Sequence, residues 1–165
     1  MTTSRSAAAD SLAERVRPLL VPAQLAAVAV LLLPRGVARR PPAPVRAAGG
    51  LLLLGGGALA VAGARVLGRD LTPFVDPRAG AALRTAGPYA VSRHPVYTGM
   101  LAAAAGWTAI RGHLHGAAAT AALAGVFHLK AGLEERRLRE RFGPAYDDYA
   151  RRVPRLLGAP GGRAD

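Results

Sequence analysis

The stretch from Gly87 to Gly99 reads Gly-Pro-Tyr-Ala-Val-Ser-Arg-His-Pro-Val-Tyr-Thr-Gly and gathers polar, aromatic and conformationally special residues just ahead of an apolar run. Pro88 and Pro95 fix φ and lack a donor N–H, so neither suits a helix interior, and Pro95 is well placed to open the helix that follows. A folded loop leading into a helix is expected. Arg93, His94, Tyr97 and Tyr89 would then crowd around one helix N-terminus, where free N–H groups and the positive dipole end favour a carboxylate or phosphate. The chemistry suggested is capture of a small anionic ligand. The plainer alternative is an interfacial anchor, because Tyr and Arg are common at a membrane edge.

A second group lies downstream: Glu134-Glu135, Phe142-Gly143, Tyr146, Tyr149 and Val153-Pro154-Arg155. On a helix Lys130 and Glu134, four apart, share a face, as do His128 and Glu135, seven apart. Glu134 and Glu135 themselves differ by about 100° and cannot both point the same way. Read alone, the two carboxylates are better explained by a solvated face paired with Arg137, Arg139 or Lys130. Tyr146 and Tyr149 are equally consistent with a terminal helix lying on the membrane surface.

Taken together the two groups carry a resemblance. Tyr89, Arg93-His94-Pro95-Val96-Tyr97 and Gly99 resemble the central motif of the isoprenylcysteine carboxyl methyltransferase and phospholipid methyltransferase family of membrane enzymes. The second group resembles that family's C-terminal signature in order and spacing. The resemblance covers the last half of the chain; the first half is similar only in being hydrophobic. It implies S-adenosyl-L-methionine as cofactor, contacted by Tyr89, His94, Pro95, Val96 and Tyr97, by residues aligned with Ala81, Ala82, Leu83 and Arg84, and by Glu134. It also implies that Lys130 occupies a basic position associated with substrate. Ala81 and Ala82 offer only backbone or apolar contacts, and Lys130 replaces an Arg common in eukaryotic relatives, which removes bidentate geometry.

The elements that must position these residues are read from hydropathy. Of the 165 residues 51% are hydrophobic, mostly Ala, Leu and Val, which predicts one integral membrane domain over 1–165. Met1 to Arg17 is polar. Leu19 to Leu33 is followed by Pro34-Arg35-Gly36 rather than a small-residue cleavage site, so it reads as a retained membrane helix. The prolines Pro41, Pro42 and Pro44 mark a connecting loop. Ala47 to Ala64 is a second span, whose glycines suit close helix packing in lipid. Arg65 to Ser92 is a long polar connection of the kind that is often functional. Val96 to Ile110 and Gly116 to Leu129 form an antiparallel hairpin through Arg111-Gly112-His113-Leu114-His115. The last helix continues over Lys130 to Arg141 until Gly143-Pro144 stops it. Pro144 opens a short helix with Tyr146, Tyr149 and Val153 on one side, and 158–165 reads as a disordered tail.

The predicted fold is therefore all-α, a polytopic membrane bundle of about four transmembrane helices with a cytoplasmic C-terminal helical extension. With four spans, seventeen basic residues fall on the side of both termini and five opposite, Arg35, Arg39, Arg40, Arg46 and Arg111. The positive-inside rule then puts both groups at the cytoplasmic face of the cell (inner) membrane. The four arginines in the first loop leave a re-entrant first hairpin open. The net charge of +12 is placed around apolar runs, which points to anionic membrane lipids and not to nucleic acid. No Cys is present, and the four His show no metal-ligand spacing, so no metal is expected.

Cations and aromatic hydroxyls from one group and carboxylates from the other suit a zwitterionic ligand, and S-adenosylmethionine is one. Its sulfonium is already an activated electrophile, so in-line positioning is the main task. A carboxylate acceptor could be held by Lys130; an amine must lose a proton, making Glu135 or His128 the candidate catalytic base. The expected function is methyl transfer to a lipophilic acceptor entering from the bilayer, resembling isoprenylcysteine carboxyl O-methylation, with phospholipid N-methylation as the alternative. Two other classes stay open: a sterol-reductase-like enzyme using NADPH, and a non-enzymatic membrane scaffold packed through the Gly-rich second helix.

Overall fold

The computed structural model describes residues 2–33, 40–72 and 82–156, with side chains from Arg15 onward. The described residues are helical throughout, with no strand: α1 Thr2–Leu32, α2 Ala43–Leu67, α3 Pro95–Arg111, α4 Leu114–Phe142 and α5 Pro144–Arg152. Short 3₁₀ turns occupy Gly68–Asp70 and Gly87–Ala90.

Helix boundaries follow local chemistry. Pro42 precedes α2 and Pro44 lies in its first turn, where a missing N–H costs nothing. The helix thus begins at Ala43 and not at Ala47, since one of the three prolines expected to hold it off is an ordinary first-turn residue. At the other extreme, α1 begins at Thr2, so the segment expected to be a polar extension is part of the first helix, which carries Pro18 and Pro22 within it. α3 ends at Gly112, whose φ of 67° lets its N–H close back on the Thr108 carbonyl. α4 runs past Leu129 as expected, stopping only at Gly143 (φ 52°), after which Pro144 starts α5.

α2 and α3 make the most extensive helix pair, and α1 packs on α4. The α2–α3 contact is backbone to backbone: Gly49, Gly56 and Gly63, spaced by sevens, face the side of α3 that carries Gly99 and Gly106. Gly63 seats directly on Pro95, where an added Cβ would sit 3.0 Å from Pro95 Cγ. That contact fixes the start of α3. Gly50, Gly55 and Gly57 meet nothing, so only one stripe of the glycine-rich helix is used. Its other faces carry exposed Leu51 and Leu54, as befits a helix in lipid.

The core joins three helices: Ala27 of α1, Ala104 of α3 and Leu123 and Phe127 of α4, with Val28, Leu31, Tyr97, Met100 and Leu101 against them. Trp107 Nε1 donates to the Leu31 carbonyl at 3.2 Å, and the Thr108 and Thr120 hydroxyls meet at 3.1 Å across the α3–α4 hairpin. α1, α2 and α4 are long and apolar enough to cross a membrane. α3, at 17 residues, spans about 25 Å, short of the roughly 30 Å hydrocarbon core. α4 has 29 residues and about 43 Å of length, so its last turns extend beyond that thickness.

Candidate functional site

The loop before α3 is built around a buried hydroxyl. Ser92 Oγ donates to the Arg155 carbonyl at 3.1 Å and accepts from His94 N–H at 3.2 Å. Its single proton is thereby used, so Thr98 Oγ1, 2.9 Å away, must be the donor in that pair. Alongside, Arg93 N–H donates to the Pro154 carbonyl at 2.9 Å and His94 N–H to the Arg155 carbonyl at 3.2 Å. The C-terminal segment therefore lies directly on the motif. Tyr149 adds a third tie, its hydroxyl donating to the Tyr89 carbonyl at 2.7 Å.

His94, the residue that precedes α3, is buried, and each ring nitrogen faces a carboxylate. Nδ1 lies 3.3 Å from Glu134 Oε2, and Nε2 lies 3.3 Å from Glu135 Oε1. Adjacent positions on α4 diverge, as expected, but they diverge around the imidazole and grip it from both sides. Burial on its own would lower the His94 pKa; the hydrogen bonds its ring donates to Glu134 and Glu135 outweigh it and raise the pKa above the ordinary 6.5. The imidazolium, with a proton on each nitrogen, is the form that satisfies both contacts.

The two carboxylates are otherwise unlike. Glu135 is 1% exposed and fully engaged: Arg155 forks onto it through Nε at 3.0 Å and Nη2 at 2.7 Å, and Arg93 Nη1 stands 3.3 Å from Oε1. Glu134, with a side chain 20% exposed, accepts from the Tyr97 hydroxyl and faces His94. One carboxylate is locked inside a cation cage, and the other is partly exposed.

Aromatic stacking carries the site toward the core. The His94 ring lies parallel to Tyr97 at 5.5 Å, and Tyr97 stacks on Phe127 at 4.6 Å. Lys130 Nζ sits 5.3 Å from the Tyr97 ring centroid and donates to Gln24 Oε1 of α1 at 2.9 Å. On the far side Tyr146, Tyr149 and Val153 bury themselves against Leu83, Leu138 and Phe142. Among the described residues, the Tyr146 hydroxyl and Arg93 Nε are buried side-chain atoms without a hydrogen-bond partner. Burial, then the Glu135 charge, pushes Tyr146 up to about 12; burial and the Glu134 charge likewise raise Tyr89, so both phenols stay neutral.

Of the residues expected to contact the cofactor, Tyr89, His94, Tyr97 and Glu134 come together in this cluster. Pro95 is buried against α2, Val96 is half-buried beside Gly63, and Leu83 packs on the Tyr146 cluster. Ala82 is exposed, Arg84 pairs with Asp70 at 3.5 Å, and Ala81 lies outside the described residues. Lys130 joins the cluster through Tyr97. The two candidate bases stand in different surroundings. Glu135 Oε1 faces Arg93, His94 and Arg155 Nε, and Oε2 accepts from Arg155 Nη2, so this carboxylate is held among cations. His128 is exposed on α4, where its neighbour Leu129 also faces outward, and takes no part in the cluster.

Sequence reasoning passed over the residues that brace the site. Arg93 and Arg155 were in the quoted motifs, yet their partner Glu135 lies on another helix, and such pairing has no local periodicity. Gln24 did leave a signal: it is the one polar residue between Leu19 and Leu33. A polar side chain inside an apolar span marks an internal contact by default. No group of three or more metal-ligating side chains occurs among the described residues.

A family model described as phospholipid methyltransferase matches residues 45–145, from the first turn of α2 to the first turn of α5. No curated protein and no solved structure matches the chain. The matched part contains the motif loop, α3, and the whole of α4 with both glutamates. On that match, which spans well over half of its length, the chain belongs to the phospholipid methyltransferase family.

Proposed function

We propose that the protein is an S-adenosylmethionine-dependent membrane methyltransferase whose acceptor is lipophilic and reaches the site from the bilayer. The observation that carries this reading is the unequal pair of carboxylates around His94. Glu134, partly exposed and in contact with Tyr97 and His94, is the group able to meet the ammonium of a zwitterion. Protonated His94, Arg93, Arg155 and Lys130 against Glu134 and Glu135 leave an excess of two positive charges, which favours a carboxylate nearby. The donor set thus fits the aminoacyl end of S-adenosylmethionine. When bound, that cofactor supplies a methyl group on a sulfonium, and no protein nucleophile is needed.

The acceptor decides whether a base is required. A carboxylate attacks as the anion it already is at pH 7, and Lys130, buried between α1 and α4 beside Tyr97, is a cation able to hold it. That reading is favoured by the cations around Glu135, which weaken it as a base, and by the outward position of His128. N-methylation of a phospholipid amine is favoured by the family match over 45–145. A scaffold role is disfavoured, because the glycine stripe that would dock a partner is spent on α3.

Four spans, with both termini and the site at the cytoplasmic side of the cell membrane, remain the topology we propose from the positive charge distribution. α3 completes the count if its polar ends reach the interfaces. The test of function is incubation of membranes with methyl-labelled cofactor. Base-labile label in the lipid fraction would support a methyl ester, and base-stable label an N-methyl lipid. No labelled lipophilic product, with no S-adenosylhomocysteine binding by calorimetry in nanodiscs, would overturn the reading.

A further inference from the structure

The geometry points to Arg155 as a positioning residue: by fixing the plane of the Glu135 carboxylate it sets the orientation of the His94 ring, making the segment Val153–Arg155 part of the cofactor site. The inference rests on the function proposed above, and it concerns residues beyond the part of the chain that the family match covers.

Three features carry it. The segment is held to the motif by its backbone, through Arg93 N–H to Pro154 O, His94 N–H to Arg155 O and Ser92 Oγ to Arg155 O. The Arg155 guanidinium then spans both Glu135 oxygens, at 3.0 Å and 2.7 Å. A planar fork on a carboxylate removes that carboxylate's rotation, which a point charge cannot do. Finally, the oxygen that receives Arg155 Nε is Oε1, and Oε1 is also the atom 3.3 Å from His94 Nε2. Aim that oxygen and the imidazole plane is set, with Nδ1 turned to Glu134 and the ring flat on Tyr97.

Charge neutralisation alone would not need Arg155. Arg93 already stands 3.3 Å from Oε1, with its side chain 7% exposed, so Glu135 keeps a buried cation if Arg155 is lost. The Arg155 side chain is 32% exposed, and shortening it opens no sealed cavity. What disappears is the second oxygen's anchor. Arg155→Lys is therefore the informative variant, retaining charge and backbone contacts while losing the fork.

The experiment uses the full chain in nanodiscs with ¹⁵N-labelled histidine. Arg155→Lys should melt within a few degrees of wild type, shift the His94 ring-nitrogen resonances and their titration, and raise the S-adenosylhomocysteine Kd about tenfold. Arg151→Ala, an exposed residue paired only with Asp148 on the same helix, is the control and should change neither. Unmoved His94 resonances with an unchanged Kd would overturn the proposal. So would a collapsed melting transition in Arg155→Lys, which would make the contact a fold staple. If wild type binds no S-adenosylhomocysteine, the methyltransferase reading fails while the His94 resonances still decide the role of Arg155.

Discussion

Gly56 and Gly99 bring α2 and α3 together at backbone distance: a Cβ on Gly56 would lie 2.6 Å from the Gly99 carbonyl oxygen and 2.6 Å from Ala103 N. Neither neighbour is a flexible side chain, so an added methyl must push the helices apart. One turn-pair further along α2 the same face holds Pro95 through Gly63, so the displacement reaches the residue next to His94.

Gly56→Ala is therefore expected to destabilise the protein by about 1 to 3 kcal/mol as an overpacking change and to weaken cofactor binding as well. Gly55→Ala, one position away, meets nothing within 4 Å and exchanges a poor helix former for a good one. Its effect should be neutral or stabilising by up to about 1 kcal/mol. Thermal melts of both variants in detergent check the pair. Equal losses would mean that the face is not the determinant.

Much of this architecture was readable from residue patterns, and the reason is local. α3, α4 and α5 begin or end at Pro95, Gly112, Gly143 and Pro144, whose backbone demands do not depend on distant contacts. The start of α2 was misplaced by four residues because Pro44 reads as a breaker unless it is known to fall in a first turn. For the site, type and spacing brought out His94 and Tyr97, and Glu134 entered through the family resemblance. The division of labour between Glu134 and Glu135 was not readable, since it is set by Arg93 in a loop and Arg155 after α5, which converge only in three dimensions. Naming Glu135 or His128 as a base followed from the proton that an amine acceptor must lose, a chemical requirement that says nothing of what covers each position.

The clasped imidazole has a pH consequence. His94 titrates above its unfolded value of 6.5, so its contribution to stability is fully present below pH 6.5 and is lost as pH rises through the folded value. The dependence can reach one proton's worth, about 1.4 kcal/mol per pH unit. Melting temperatures should fall from pH 6.5 toward pH 9, and His94→Gln should flatten that decline. A slope that persists in His94→Gln would assign it to another group.

The last prediction separates the two glutamates by substitution with their neutral isostere. Glu134→Gln removes charge from a partly exposed group while keeping its size and an oxygen that accepts a hydrogen bond from Tyr97. It should leave the melting temperature close to wild type and weaken S-adenosylhomocysteine binding by about ten- to a hundredfold, the loss of a charge-assisted contact of about 1.5 to 3 kcal/mol. Glu135→Gln instead strands Arg93, whose side chain is 7% exposed, and breaks the Arg155 fork. Removing one partner of a buried ion pair costs about 3 to 5 kcal/mol, so this variant should lose fold stability first and binding as a result. Calorimetric titration beside a melting curve for each variant reads the difference. A Glu135→Gln protein that melts and binds S-adenosylhomocysteine like wild type yet no longer methylates would return Glu135 to the role of base, because a carboxylate missed by the reaction, but by neither the fold nor the cofactor, acts on the acceptor.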